Sequence, residues 1–277
     1  MQSTELRERY GRDGFIPGRR MLTDAEAAGY AAACERTCGI EIHQGGRRQA
    51  SNRLKPYLLY PWAAELVRHP RILDAVEELI GPDILVFHTT IWLKEPRSTN
   101  FVPWHQDATY FGLDPHEHVT AWVALTASTP EKGCVQVMPG SHRSGQRPHR
   151  DQRDPAAMLS RGQTLADTVD ESAVVDLVLQ PGEVSLHHTL LVHRSGPNRS
   201  DERRIDVGIS YVPTRVRHIG PTRLSATLVR GTDRYGHFDS EAAPRAEGDP
   251  AAIEAHADSL GRFWTASESI PEMAFIH

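Results

Sequence analysis

The chain has 277 residues, a formal net charge of −5 at neutral pH and a sequence isoelectric point near 6.3. That length suits one large domain spanning 1–277, and an acidic balance gives no general attraction to nucleic acid, which argues against a DNA-modifying role. Cys34, Cys38 and Cys134 cannot all pair and have no metal-type spacing with the histidines, which fits a reducing, cytoplasmic setting.

Met1 to Arg12 is polar and lacks the apolar core of a signal peptide, and no apolar run approaches membrane-spanning length, so no membrane partner is expected. Leu6 to Tyr10 reads as a short helix, and Asp13-Gly14-Phe15-Ile16 as a turn into a strand. Thr23, followed by Asp24 and Glu26, caps a helix that runs to about Cys38, where Gly39 stops it. Cys34 and Cys38 share one face of that helix and read as packed thiols, not a redox pair. The glycine-led stretch Gly45 to Arg53 is a polar loop or edge placed to overhang an active site, its arginines read as solvated. From Trp62 to Ile80, Leu66, Ile72, Leu73, Val76 and Ile80 predict a helix broken or restarted at Pro70, ended by Gly81-Pro82 and packed outside a barrel.

Ile84 to Lys94 is the first strong strand, rich in β-branched and aromatic residues, with His88 a pocket or core histidine. Pro96 to Pro103 delivers the chain to Trp104-His105-Gln106-Asp107, after which Tyr110-Phe111-Gly112 opens a loop whose His116 and His118 read as surface residues. Val119 to Leu125 and Cys134 to Met138 are strands separated by the turn Ser128 to Gly133. This alternation predicts a mainly β fold with flanking helices: a helical part about 1–82, a double-stranded β-helix (jelly-roll, cupin-like) core about 83–235 and a C-terminal helix about 250–264. Ser141 to Asp170 has no steady period; it reads as a long lid or binding excursion with a short helix near Ala156 to Ser160. Val174 to Leu179 and Pro181 to His188 resume the barrel, and Asp249-Pro250 starts the last helix, with Leu260 and Trp264 on its apolar stripe and His256 solvated beside it.

Two stretches carry chemistry. On a strand, residues two apart point to the same face, so His105 and Asp107 would both enter the barrel mouth while Gln106 points out. With one distant histidine they make the ligand set of the facial triad that holds non-haem Fe(II) and leaves positions open for a co-substrate and oxygen. His-x-Asp alone is weak in a chain with 15 histidines. The second stretch, Leu190 to Val212, reads as two apolar runs around the turn formers Ser195 to Asp201. A hairpin centred between Asn198 and Arg199 would set His193 opposite Arg204 with both side chains facing inward, which favours His193 over His187 and His188 as the distant ligand. A buried arginine needs an anionic partner, and its planar fork suits a carboxylate such as the one at the far end of iron-chelating 2-oxoglutarate.

The Trp104 to Asp107 string, the Met138-Pro139-Gly140-Ser141-His142 element and the His193 to Arg204 element, in this order, resemble the phytanoyl-CoA dioxygenase family of Fe(II)/2-oxoglutarate oxygenases. The resemblance runs from about Asp13-Gly14-Phe15 to Tyr235-Gly236-His237. It implies iron on His105, Asp107 and His193, the distal carboxylate of 2-oxoglutarate on Arg204 with Ser195 as a second contact, and Trp122 and Lys94 as further members of that pocket. The implied activity is hydroxylation of an unactivated carbon of a small molecule by O2, releasing succinate and CO2. Desaturation, cyclisation and epimerisation are alternative outcomes. Halogenating relatives carry a small residue where Asp107 stands, so oxygenation is expected here. Readings from other classes are a zinc hydrolase on the same ligands, a non-catalytic jelly-roll binding module and a redox-neutral metal isomerase.

For the substrate, Arg143, Arg147, Arg150 and Arg153, with His142 and His149, face one acid, Asp151. If this stretch closes over the iron, its positive field would draw an anionic molecule, a CoA thioester being one example; a solvated loop is the alternative. Arg143 and Arg147, with Phe101 and Tyr110, are the candidate substrate contacts.

Overall fold

The computed structural model describes residues 3–38, 51–151, 154–159 and 163–269. Strict alternation along the strand Arg204–Pro213 sorts its side chains. Ile205, Val207, Ile209 and Tyr211 join the largest core with Leu66, Ile72 and Val76, while Arg204, Asp206, Gly208 and Ser210 take the opposite face. This strand is the middle of a seven-stranded sheet ordered Phe15–Arg20, Glu183–His188, Val119–Ala124, Arg204–Pro213, Ile84–Lys94, Ser225–Arg230, Asp239–Ser240. The helices Asp24–Cys38, Pro61–Leu66 and Pro70–Ile80 contribute to the core on its apolar face, where each buried aliphatic side chain contributes about 1.5–3 kcal/mol.

A four-stranded sheet, ordered Val102–His105, His193–Ser195, Val135–Val137, Val175–Leu177, covers the other face. Phe15, Trp122 and Ala124 of the large sheet meet Val135, Val137, Leu177 and Leu191 between the layers. Two sheets closed in this way are the expected jelly roll, and its interior is polar at one end because the inward positions of Arg204–Pro213 are. The alternation breaks once. Ser210 pairs with His88 and Tyr211 with Val86, so Phe87 is the extra residue of a bulge. Phe87 packs on Phe111, Phe238 and Phe263, while His88 turns toward the barrel mouth and stacks on Phe263.

Local signals agree with the structure where they are strongest. Thr23 and Glu26 form a capping box, Thr23 N donating to Glu26 Oε2 (2.7 Å) and Glu26 N to Thr23 Oγ1 (3.2 Å). Pro70 opens the second of two helices, as expected. The C-terminal helix is longer than expected, Pro250–Ser269, and His256 is buried against Leu54, its Nε2 2.8 Å from that carbonyl. It is not solvated, because this helix lies over the 51–60 segment, where buried Lys55 donates to Glu241 (2.6 Å) and Ser259 (2.9 Å). In place of the short helix near Ala156, Phe101 N donates to Ala156 O (3.0 Å) and Met158 N to Phe101 O (2.9 Å). The excursion also contains a ribbon of His149–Asp151 with Gln163–Leu165. Gly45 to Ala50, Arg153, Ser160 and the Cys38 side chain lie outside the described residues; Cys34 and Cys134 are buried thiols. No described helix is long and apolar enough to cross a membrane.

The expected hairpin between His193 and Arg204 does not form. His193–Ser195 and Arg204–Pro213 belong to different sheets, and the register pairs His193 with His105 and Arg204 with Lys94. The connection between them crosses from one layer to the other. Buried Asn198 holds it there, its Nδ2 reaching the carbonyls of Lys94 (3.2 Å), Glu95 (3.1 Å) and Glu202 (2.8 Å).

Candidate active site

His105 ends one strand of the small sheet and His193 begins its neighbour, and as directly opposed residues they share the inner face with ring centroids 4.1 Å apart. Their orientations are fixed from behind: His105 Nδ1 donates to Pro103 O and His193 Nδ1 to Leu191 O, both at 2.9 Å. Each imidazole therefore presents Nε2 inward. Asp107 does not continue the strand. Its backbone is helical (φ −59°, ψ −34°) at the start of the turn Ala108–Phe111, and this bend brings Oδ1 within 3.4 Å of His105 Nε2 and 3.6 Å of His193 Nε2. The three donor atoms lie within 4.8 Å of one another, two imidazole nitrogens and one carboxylate oxygen around a common point. Burial, then His105, push His193 down to about 4, which keeps it neutral.

Behind Asp107 stands a chain of hydrogen bonds that the sequence did not reveal. Thr120 Oγ1 donates to Asp107 Oδ2 (2.8 Å) and lies 3.0 Å from His118 Nε2, while His118 Nδ1 lies 3.0 Å from Thr189 Oγ1. Since the Thr120 proton goes to the carboxylate, His118 must donate from Nε2 and accept from Thr189. His118 is buried, not a surface residue, and burial pushes it down to about 4. Gln106, which alternation turns away from the mouth, is also buried: its Nε2 donates to Leu190 O (2.7 Å) and Gly145 O (3.0 Å), tying the His105 loop to the segment before His193. Thr120→Val, which leaves Asp107 Oδ2 without its donor, is expected to weaken Fe(II) binding about tenfold with little change in Tm; anaerobic metal titration measures it.

From the triad a narrow slot runs between the sheets, lined by Thr90, Trp92, Trp122, Val135, Ser195 and Gly208. Arg204 and Lys94, both fully buried, stand at its Ser195 end. Ser195 Oγ donates to Gly133 O (2.8 Å) and accepts from Lys94 Nζ (2.5 Å) and Arg204 Nη1 (3.1 Å); Arg204 Nη1 also donates to Gly133 O. Gly133 is required for this approach: it has φ +66°, and a Cβ would stand 2.2 Å from Gly196 O. The Arg204 fork is incompletely used. Nε lies 2.9 Å from Asp206 Oδ2 without hydrogen-bond alignment, and Nη2 is buried with no partner. Burial, then Arg204, push Lys94 down to about 6, and burial raises the Asp206 carboxyl against the pull of Arg204. An unused guanidinium face beside the Lys94 amine at the end of a slot fits the distal carboxylate of a diacid. A Cβ at Gly208 would stand 3.2 Å from Trp92 Nε1 and 3.4 Å from Trp122, so Gly208→Val is expected to raise the KM for 2-oxoglutarate by about tenfold or more in succinate assays.

On the other side of the triad lies a chamber of about 230 Å3, predominantly apolar, with Trp92, Tyr110, Phe111, Met158, Phe263 and Trp264 among its walls. A slot ending at the buried Arg204 guanidinium and an apolar chamber therefore meet at one donor set.

Residues 10–205 match the sequence profile described as phytanoyl-CoA dioxygenase (PhyH). The chain belongs to the phytanoyl-CoA dioxygenase family. It is thus a member of the Fe(II)/2-oxoglutarate-dependent oxygenases, with the cupin-like core of that group. It is 28% identical over 237 residues to the peroxisomal phytanoyl-CoA dioxygenase of Bos taurus, covering 78% of this chain and 70% of that protein. Among solved structures it is similar to the non-heme monooxygenase ThoJ, apo form, with a TM-score of 0.85, 36% identity and coverage of 95% of this chain and 97% of that one. It is also similar to the epimerase SnoN in complex with Fe3+, alpha ketoglutarate and nogalamycin RO, with a TM-score of 0.61, 26% identity and coverage of 78% and 85%.

Within this phytanoyl-CoA dioxygenase fold, the residues expected to touch substrate separate. Tyr110 lines the chamber, its ring centroid 6.1 Å from that of His105. Phe101 does not; its side chain lines a cleft on the outer side of the small sheet with Trp104 and Arg194, and its contribution to the chamber is the backbone pairing that holds Met158. Arg143 is exposed with its Nε 3.5 Å from Gly140 O, and Arg147 Nη2 is engaged with Asp167 (3.4 Å) and Thr168 O (3.3 Å). Neither arginine lines the slot or the chamber, because the excursion folds back on itself as a ribbon beside the mouth. His187 and His188 also stay out of the donor set: His187 bonds Ser185 (2.8 Å), and His188 packs on Tyr10 and His142.

Proposed function

We propose that this phytanoyl-CoA dioxygenase family member hydroxylates an unactivated carbon of a small molecule, with His105, Asp107 and His193 holding Fe(II) and Arg204 receiving the distal carboxylate of 2-oxoglutarate. The observation that carries this reading is the junction of the His105, Asp107, His193 donor set with both the Arg204 slot and the apolar chamber. Iron, when bound with 2-oxoglutarate, supplies oxygen activation coupled to release of succinate and CO2.

The chain's own residues contribute orientation and dryness. Thr120 fixes which Asp107 oxygen faces the histidines, and the carbonyls of Pro103 and Leu191 keep both imidazoles in the tautomer whose Nε2 is a free ligand. Ser195 accepts from both Lys94 and Arg204, so the two nitrogen donors stay side by side at the slot's end. Trp92 and Trp122, with ring centroids 5.7 Å apart, wall the slot and exclude water. Phe111 and Phe263 do the same for the chamber and hold a substrate carbon near the donor set.

The test is product analysis under heavy-isotope oxygen gas. Hydroxylation predicts one labelled oxygen in the product and one in succinate, with the two products formed in equal amounts. A product lacking the label, isomeric with the substrate or two hydrogens poorer, would overturn hydroxylation while leaving the iron and 2-oxoglutarate assignment intact.

A further inference from the structure

The apolar chamber has one cationic side chain among the described residues that line it. Arg53, from the helical turn Ser51–Arg53, stands there with Leu54, next to the walls formed by Trp92, Phe111 and Phe263. Its Nε is buried and has no hydrogen-bond partner, and no carboxylate among the described residues pairs with it. Arg97, Arg194 and Arg230 have carboxylate partners in Asp201, Glu171 and the pair Asp74 and Glu77, and Arg9 and Arg262, whose Nε atoms are also buried without a hydrogen bond, each have a carboxylate within salt-bridge distance; Arg53 has none among the described residues. A buried donor left unmade costs about 1–3 kcal/mol, and Arg53 lines the chamber, so an acceptor carried by a molecule in the chamber would meet an unused guanidinium donor. His88 adds no charge there, since burial pushes it down to about 3.

Arg53 lines the chamber and not the slot, whereas His105 and Asp107 line both. The donor set is therefore flanked by two guanidiniums, Arg204 on the co-substrate side and Arg53 on the substrate side. The chamber's far wall, Phe263 and Trp264, lies outside the residues 10–205 matched to the family, so its shape belongs to this chain's own C-terminal helix.

We propose that Arg53 recognises a carboxylate on the substrate, whose apolar body fills the chamber with the reacting carbon toward His105 and Asp107. The substrate class is thus a small amphipathic monocarboxylate. The fork geometry of a guanidinium matches a carboxylate with two parallel bonds, and the apolar walls supply burial for the remainder of the molecule. This inference rests on the proposed function only for which carbon reacts; acid recognition by Arg53 stands or fails separately.

The test uses the full chain, loaded anaerobically with Fe(II) and 2-oxoglutarate, and a panel of medium-chain alkanoic and phenylalkanoic acids, each matched with its primary amide. Binding is read from quenching of tryptophan fluorescence, since Trp92 and Trp264 line the chamber, a signal that needs no turnover. In the wild type, acids are expected to bind about tenfold or more tightly than their amides. Arg53→Gln should bring each pair within about twofold by weakening the acid alone, and Arg53→Lys should keep part of the preference. Unchanged amide affinity shows that the chamber has stayed folded. No acid preference anywhere in the wild-type panel, or the same preference in Arg53→Gln, would overturn the proposal. Loss of the iron and 2-oxoglutarate charge-transfer band in the wild type would instead overturn the metal reading, while the acid-to-amide ratio still decides Arg53.

Discussion

Arg204→Leu is expected to weaken 2-oxoglutarate binding about a hundredfold, on the order of 3 kcal/mol, with Fe(II) affinity retained. The reason is the dry setting of the guanidinium: Arg204 is fully buried, its Nη2 has no partner and its neighbour Lys94 is tied to Ser195 and to the carbonyls of Ser195 and Gly196. A carboxylate arriving there would lose its only planar fork. The same substitution also strands Asp206, buried beside Arg204, and breaking a buried pair costs about 3–5 kcal/mol, so Tm should fall as well. Adding Asp206→Asn to Arg204→Leu should recover much of the Tm and none of the 2-oxoglutarate affinity, which separates folding from recognition. Arg203→Leu is the control. Arg203 points outward to Glu95 (2.9 Å), and such half-exposed pairs contribute about 0–1 kcal/mol, so co-substrate binding should be unchanged. If Arg203→Leu impairs binding and Arg204→Leu does not, the carboxylate site is elsewhere.

His193→Ala and Asp107→Ala are each expected to lower turnover by at least about a thousandfold, roughly 4 kcal/mol, because each removes one of three donors that lie within 4.8 Å of one another. Fe(II) binding, measured anaerobically, should fall in parallel. His188→Ala supplies the contrast: its ring sits against Tyr10 and His142, outside the donor set, and activity should stay within about threefold. Substantial activity in His193→Ala together with inactivity in His187→Ala would move the distant ligand to His187, whose ring centroid is 6.0 Å from that of His193.

What the sequence displayed was what period and punctuation encode. The strand Ile84–Lys94, the capping box at Thr23 and Glu26 and the helix opened by Pro70 follow from residues within a few positions of one another. The co-location of His105, Asp107, His193, Ser195, Lys94 and Arg204 was also visible, but two of its reasons were not. Opposed strand residues do share a face, yet the opposed pair is His105 with His193; which strands become neighbours is decided by closure of two sheets, and no local pattern between 193 and 204 distinguishes a hairpin from a crossing between layers. Asp107 reaches the site through a helical bend, not through strand alternation. His118 and His256 looked solvated because polar residues in loops and helices commonly are, and Gln106 looked merely turned out of the mouth; their burial comes from partners 71, 202 and 84 positions away. The chamber was hidden for the same reason, since Phe263 and Trp264 carry no local sign that they leave the helix's packing face for a cavity wall.

The central assignment is that one buried site binds Fe(II) through His105, Asp107 and His193 and 2-oxoglutarate toward Arg204. Anaerobic mixing of the full chain with Fe(II) and 2-oxoglutarate tests it most directly: a visible charge-transfer band should form, be absent in Asp107→Ala, require a far higher 2-oxoglutarate concentration in Arg204→Leu, and decay on admission of oxygen with one succinate formed per 2-oxoglutarate consumed. No band in the wild type, or turnover that zinc supports without oxygen, would contradict it.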